Sequence, residues 1–376
     1  MDIGINFERI GAILERDMRK FFRSPALMVS SMVFPLMQLI VLGYAFGGKI
    51  KNIHVALVDE DRGAESRTLR ESLKSIEAGP KTFYVTDYSS VPDAILDLRA
   101  GFVRAVIHIP HDYSRRVLQH DRPRVAFIED NTDNFVTSQL YERMQQLAAS
   151  LNAPQITGRL PAAIDMQVVE VYPYIEYIKY LLSGSIAMSI FIVAMIGGGI
   201  VFIDDKARGL HEGYLVTPIR KAELVLGLNL AGALKGVMAG LTITLIGGLI
   251  AGIDRLWEPL RLIYLVLVLS AASLAMISFM FLVMVRVTDP LVPRAIFGVL
   301  NTLLFFPSGA IYPQEGFPVW LKWISIVDPF TYAVHALKNL LLKNTGFEGI
   351  YFDVFVLLGF SVLLMSACIA LFQRQI

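Results

Sequence analysis

The residues that could do chemistry are few, and each set is incomplete. Gly43-Tyr-Ala-Phe-Gly-Gly48-Lys49-Ile50 almost spells a phosphate-binding loop. Such a loop cradles phosphates on backbone N–H groups and needs a Ser or Thr after its Lys to hold Mg²⁺. Ile50 stands in that place, and the run follows an apolar helix rather than a buried strand, so the match is read as chance. No other Gly-x-x-x-x-Gly-Lys occurs. His211-Glu212 opens a zinc-protease pattern, but residue 215 is Leu and no second ligand follows. His108 and His111 have the spacing to touch one metal, yet no Cys or acid is spaced to complete four ligands, and a solvated strand end explains them better. Ser, His and Asp occur without a nucleophile elbow. No catalytic residue, no metal site and no cofactor is therefore expected in this chain.

The polar residues that remain of interest lie inside apolar runs. Lys235 falls in one of them, where an ionisable group is a functional candidate by default. Gly236–Gly252 alone offers about 25 Å of helix. Lys235 has two readings: a residue of a transport pathway, or a cation that snorkels to the inner headgroups, which is favoured. Asn229 and Asn301 are candidate pathway-lining residues of the same kind.

These runs define the class. Of 376 residues, 55% are hydrophobic and only 18% charged, and the mean hydropathy is +0.55. That is the composition of an α-helical polytopic membrane protein. A net charge of +1 offers no excess of Lys and Arg to neutralise phosphates, so nucleic acid is not an expected partner. Cys368 is the single cysteine, which excludes an intrachain disulfide. Phe7 to Arg23 is charged throughout and precedes a run of full span length, so no cleavable signal is expected.

Residues 1–25 read as a cytoplasmic amphipathic helix. Ile10, Leu14, Met18 and Phe21 share one face, and Arg9, Arg16, Lys20 and Arg23 surround it. Arg16, Lys20 and Arg23 suit an anionic leaflet, although a solvated lead-in fits the pattern as well. Residues 26–47 hold the first span. Residues 48–176 change composition and read as an extracytoplasmic α/β domain inserted between spans one and two. Its strands are expected at 53–58, 82–85, 105–109 and 125–128, and its helices at 65–77, 91–100 and 135–151, around a partly parallel sheet. Residues 177–376 hold the remaining spans: one at about 180–203, one that runs to about 252, and three at about 262–285, 295–311 and 352–372. Gly197-Gly198-Gly199 would permit close helix approach. Lys and Arg in the inner loops place both termini in the cytoplasm, six spans in all; Arg255 and Arg261 on the outside are exceptions.

Two connections are more than turns. The loop 204–223 carries Lys206, Arg208, Arg220 and Lys221, which hold it in the cytoplasm. Within it Leu210, Tyr214 and Leu215 oppose Lys206, Arg208 and Glu212 at helical spacing, and Pro218 closes the turn. Residues 312–346 are too apolar for a free loop and too broken by Pro313, Pro318 and Pro329 to span. They read as two short helices re-entering the outer leaflet, with Trp320 and Trp323 at headgroup depth.

Both connections resemble those of ABC-2 type permeases, the membrane subunits of bacterial ATP-driven exporters. The residues that carry the likeness are Arg208-Gly209, Glu212, Leu215-Val216-Thr217-Pro218 and Glu223-Leu224. Ala207 and Leu210 stand where relatives carry an acid and a hydroxyl, and Ser183-Gly184 where they often have Pro-Gly. The large domain after span one is similar to the branch associated with drug or lipid-like efflux. The resemblance implies a coupling helix with Arg208, Gly209, Glu212, Tyr214, Leu215, Thr217 and Pro218 docking on a separate ABC ATP-binding subunit, which would hold the ATP and Mg²⁺. It also implies an outer gate built from Pro313, Phe317, Pro318, Trp320, Leu321, Pro329, Phe330 and Tyr332. A second permease copy or a paralogue would complete the pathway, lined by spans two and five. A periplasmic adaptor and membrane lipid are further candidate partners, and the bacterial inner membrane is the implied location. A rival from another class is a membrane-anchored sensor or assembly protein whose outer domain binds a ligand without transport. It would need a cytoplasmic output domain, and the longest inner segment is the N-terminal stretch.

Overall fold

The computed structural model describes residues 6–47, 53–78, 83–119, 121–130, 134–152, 175–201, 203, 217, 219–253, 255–287, 289 and 291–372. The chain forms two compact units, Met1–Gly47 with Val169–Ile376, and Gly48–Val168.

The first unit opens with α1 (Phe7–Phe22) and α2 (Pro25–Gly47). The Asn6 side chain accepts the Glu8 N–H at the start of α1, and Glu8 and the Arg19–Lys20 pair suit the two ends of its dipole. The chain then builds the second unit: β1 (Ile53–Asp59), α3 (Ala64–Ala78), β2 (Phe83–Tyr88), α4 (Val91–Ala100), β3 (Ala105–Ile109), α5 (Tyr113–Leu118), β4 (Ala126–Glu129) and α6 (Asn134–Asn152). The strand order is β2-β1-β3-β4. β1 pairs in parallel with β2 and β3, and β4 pairs antiparallel to β3. The buried alternation of β1 and β3 gives this sheet an apolar layer on each face. α5 was not expected: six residues are too few for a helical period to show.

Back in the first unit, the helices are α7 (Tyr177–Ala194), α8 (Lys221–Ala251), α9 (Pro259–Met284), α10 (Leu291–Phe305), α11 (Val319–Val327), α12 (Pro329–Leu341) and α13 (Tyr351–Leu371). Among the described residues, α2, α7, α8, α9 and α13 are long and apolar enough to cross a membrane. The expected fifth span is the shorter α10. It stops at Phe305 rather than Ile311, because Pro307 disfavours helix before it and Gly309 takes φ 81°. α7 is the centre of the unit, buried from Leu181 through Ala194, whereas α2 and α13 leave most of their length exposed. α7 runs on as a π-turn, Met195–Val201. In that turn a Cβ on Gly197 would meet nothing, and one on Gly199 only ordinary contacts. The close approaches lie elsewhere. A Cβ on Gly236 of α8 would be 2.6 Å from Ser273 Oγ of α9, and one on Gly227 would be 2.9 Å from the Ile13 side chain of α1.

Candidate functional site

Two clusters of polar contacts sit at opposite ends of the first unit. The first is at the start of α8, directly after the loop 204–223. Glu223 is fully buried. Its carboxylate accepts the Arg220 N–H at 2.9 Å, the Asn6 N–H at 3.0 Å and Arg9 Nη1 at 3.4 Å. Beside it Lys221 Nζ donates to the carbonyl of Phe372, at the end of α13, at 2.9 Å. Further along, Lys235 pairs with Asp17 of α1 and lies 5.5 Å from the Phe21 ring. The Lys235 side chain is 5% exposed, its ammonium turned onto Asp17. Burying that charge is tolerable because a carboxylate is buried with it. A cavity of about 20 Å³ adjoins the pair, lined in part by Val193, Ile196 and Gly197 where α7 passes into its π-turn.

α1 is thus held along α8 by charge at both of its ends. Ile10, Ile13, Met18 and Phe21 are buried, and Gly227 removes the side chain that would keep the helices apart. Arg16, Lys20 and Arg23 are exposed and border one open depression.

The second cluster gathers on the turn after α10. Gly309 O accepts Tyr180 Oη at 3.0 Å and Lys338 Nζ at 2.6 Å, and the ammonium lies 3.4 Å from the Tyr180 ring. Tyr177 Oη donates to Ile311 O at 3.1 Å. Pro307 O accepts Ser325 Oγ of α11 at 2.7 Å and Gln314 Nε2 at 3.0 Å. α12 begins on the buried Asp328, whose carboxylate accepts the Phe330 N–H at 2.9 Å, with Pro329 in the first turn. Phe330 then enters an aromatic group with Phe191 of α7, at 5.8 Å, and Phe305 of α10, at 5.7 Å. The far end of α12 is fixed as well. Arg261 of α9 donates to Leu340 O and Leu341 O at 2.9 and 2.6 Å. His335 meets Asp353 of α13 at 2.8 Å, and Asn339 donates to Gly349 O at 2.9 Å. A cation on the last carbonyls of a helix is favoured by its dipole.

The profile of the family described as ABC-2 family transporter protein matches residues 25–371. The chain belongs to the ABC-2 transporter family. It is 21% identical over 374 residues to the Probable multidrug ABC transporter permease YbhR of Escherichia coli, covering 98% of this chain and all of that protein. It is 22% identical over 381 residues to ABC transporter G family member 20 of Dictyostelium discoideum, covering 97% of this chain and 50% of that protein. Nodulation protein J of Sinorhizobium fredii is 24% identical over 208 residues, covering 54% of this chain and 76% of that protein. As an ABC-2 chain with several membrane-crossing helices, it is a multi-pass inner-membrane protein and a transmembrane transporter subunit.

In this ABC-2 chain, Arg208, Gly209, Glu212, Tyr214, Leu215 and Pro218 lie outside the described residues, and Thr217 is half-buried. Of the outer segment, Pro313 and Pro318 precede short helical turns, Phe317 stacks on Tyr312 at 6.1 Å, and Trp320 is exposed. Leu321 O accepts from Ser325. Tyr332 Oη donates to Ile326 O at 2.8 Å, and its ring packs on Phe352 and Phe360. Asn229 is buried between α8 and α9, donating to Val225 O and accepting from Ser278, both at 2.9 Å. Asn301 Oδ1 is buried without a partner among the described residues. His108 Nε2 lies 3.1 Å from Glu60 Oε2, and no metal-holding group of His, Cys, Asp or Glu occurs among the described residues. Sequence reasoning passed over Asp17, Glu223 as a buried acceptor, Lys338 and Asp328. Only the last had a local signal, an Asp-Pro pair opening an apolar helical period.

Proposed function

We propose that this chain is the permease of an ATP-driven exporter, moving a drug-like or lipid-like substrate out of the cytoplasm or the inner leaflet. Hydrolysis takes place in a separate ABC ATP-binding subunit that holds the ATP and Mg²⁺. Six spans place both termini and the loop 204–223 in the cytoplasm and residues 48–176 outside, within reach of an adaptor protein. Two copies, or one copy and a paralogue, enclose the path, lined by α7 and α10. The name of the E. coli relative supports a multidrug substrate class.

The observation that carries this reading is the set of bonds at the head of α8. The helix that continues the coupling loop is tied through Glu223 to α1 and through Lys221 to α13. A push on Arg208–Pro218 from a closing ATPase pair therefore moves a bonded group of helices rather than one loop, as rigid-body transmission requires. α8 passes the displacement to α7 by direct packing at Gly236 and Gly240 against Ile190. At the other end α12 couples to the same α7 through Phe191 and Phe330. Arg16, Lys20 and Arg23 keep α1 at the anionic leaflet while it moves.

The test is Glu212→Arg in cells carrying the cognate ATPase. Dye efflux and substrate-stimulated ATPase activity should both be lost while the membrane level of the protein stays constant. Efflux at the wild-type rate would remove Glu212 from the coupling contact.

A further inference from the structure

In the second unit, parallel strands β1 and β2 end side by side, with Val58 opposite Tyr88. On such a sheet ligands usually sit beyond the carboxyl ends, between strands whose connections leave in opposite directions. Here those strands are β1 and β3, and the crevice between them is filled. Asp61 accepts the Ser114 N–H at 3.1 Å and bonds the Ser114 hydroxyl as well. A Cβ on Gly63 would collide with that hydroxyl. Burial pushes the Asp61 carboxyl up, but the bonds from Ser114, Gly63 and Ser66 outweigh it and hold the group below its ordinary value.

The open ground lies one strand over, above β1 and β2. A concavity of about 520 Å³ is lined there by Arg62, Arg67, Arg70, Tyr88 and Ser89. Arg67 and Arg70 are three residues apart on α3 and share a face. Arg62 stands on the preceding loop at φ 50°, a conformation L-residues rarely take. The two carboxylates bordering the concavity are already committed. Asp59 accepts the Asp61 and Arg62 N–H groups at 3.1 and 3.0 Å, and Asp87 pairs with Arg70 at 2.9 Å. The guanidinium groups of Arg62 and Arg67 meet no carboxylate among the described residues. Arg70 Nε is buried with no acceptor among them. Two other arginines of this unit are matched, Arg104 to Asp130 at 2.9 Å and Arg116 to Asp112 at 2.6 Å. A merely solvated face would not strand a buried guanidinium nitrogen beside two unmatched cations. What the set lacks is an anion.

We propose that the concavity over β1 and β2 binds a phosphoryl group carried on a small polar body, held by Arg62, Arg67 and Arg70. Guanidinium forks match phosphate oxygens two at a time, and three arginines line this concavity. The volume exceeds what one phosphate fills and lies in the range of small-ligand sites. Tyr88, whose hydroxyl is engaged by Asp97 at 2.7 Å, contributes ring surface, and Ser89 a hydroxyl. A soluble phosphate ester and a phospholipid headgroup share this chemistry. The proposal is independent of transport, and its failure leaves the permease reading untouched.

The experiment is calorimetric titration of the full chain in neutral detergent with sn-glycerol 3-phosphate and with dihexanoyl phosphatidate. Saturable binding is expected, weakened about 10-fold or more in Arg62→Ala/Arg67→Ala as two charge-assisted contacts are lost. Arg99→Ala, which removes a charge at the end of α4, should bind as the wild type does. Arg62 and Arg67 meet no carboxylate among the described residues, so the double variant should melt unchanged; if it does not, Arg67→Gln alone is read. Tighter binding of the phosphatidate identifies a lipid headgroup, and tighter binding of the ester a soluble ligand; both support the site. No saturable heat with either probe, or an equal loss in Arg99→Ala, overturns it.

Discussion

Lys235 and Asp17 show how a charge is kept inside an apolar helix bundle. The Lys235 side chain is 5% exposed and that of Asp17 17%. Either charge buried without its partner would be costly, and together they also fix the depth of α1 along α8. Asp17→Asn strands a buried cation and should lower stability by about 3 kcal/mol, the scale found when one partner of a buried pair is removed. Asp17→Leu/Lys235→Met removes both charges and should recover most of that loss. Unfolding followed by tryptophan fluorescence in detergent checks both values. If the double variant is as unstable as the single one, the pair is not what holds the helix. If it is stable but exports nothing, Lys235 serves the path and not only the packing. At this scale the sequence was partly legible. Lys235 announced itself as an ionisable residue in an apolar run, but its partner is 218 positions away and no local pattern points to it. Asn6 and Glu223 are 217 positions apart in the chain. The amphipathic face of α1 was legible by its period, except that Ile13 rather than Leu14 is fully buried, a shift of about 100° that packing decides.

Elements carry the coupling that residues only pin. α8 has 31 residues, about 46 Å of helix, against a hydrocarbon core of about 30 Å. Its first turns therefore run past the apolar layer, and α1 packs along that extension. Gly227 is where the two come closest: a Cβ there would lie 3.3 Å from Ile10 O as well as against Ile13. Backbone cannot yield as a side chain does, so Gly227→Val should separate α1 from α8. Hydrogen exchange should rise across Phe7–Phe22 while α9 and α13 stay protected, and export should fall with membrane insertion intact. Unchanged protection in α1 would show that the charge contacts alone hold it. The elements themselves were legible wherever one period dominated: the strands and longer helices of residues 53–152 follow their apolar alternation, and α11 and α12 follow the prolines that bound them. Arg261 was legible only as an exception to the charge bias. It sits where it does because α12 ends in carbonyls that need a cation, a demand set by an element 79 residues away.

At the scale of the whole molecule, the arrangement of spans follows from charge bias, and the bias makes a prediction about sides. α10 is the weak link, because its 15 residues give about 22 Å, short of the hydrocarbon core unless the turn at Pro307–Ile311 adds to it. That turn is well placed to do so. The carbonyls of Pro307, Gly309 and Ile311 accept from Ser325, from Tyr180 and Lys338, and from Tyr177, so the backbone enters an apolar layer with three of its acceptors already satisfied. A sequence window sees only that an apolar run stops early; it cannot see the donors that let the run be completed by non-helical chain. If α10 and this turn together make the crossing, the number of crossings between residues 217 and 344 is odd, and the two positions lie on opposite sides of the membrane. Cys368 is buried and is the sole cysteine, so Cys368→Ala gives a background silent to thiol reagents. In it, Arg62→Cys should react with an impermeant maleimide on intact cells, because the proposed topology puts residues 48–176 outside. Thr217→Cys should react only after permeabilisation, and Asn344→Cys, between α12 and α13, should again react from outside. Labelling of Thr217→Cys on intact cells would invert the scheme, and a protected Asn344→Cys would mean that α10 and its turn do not cross.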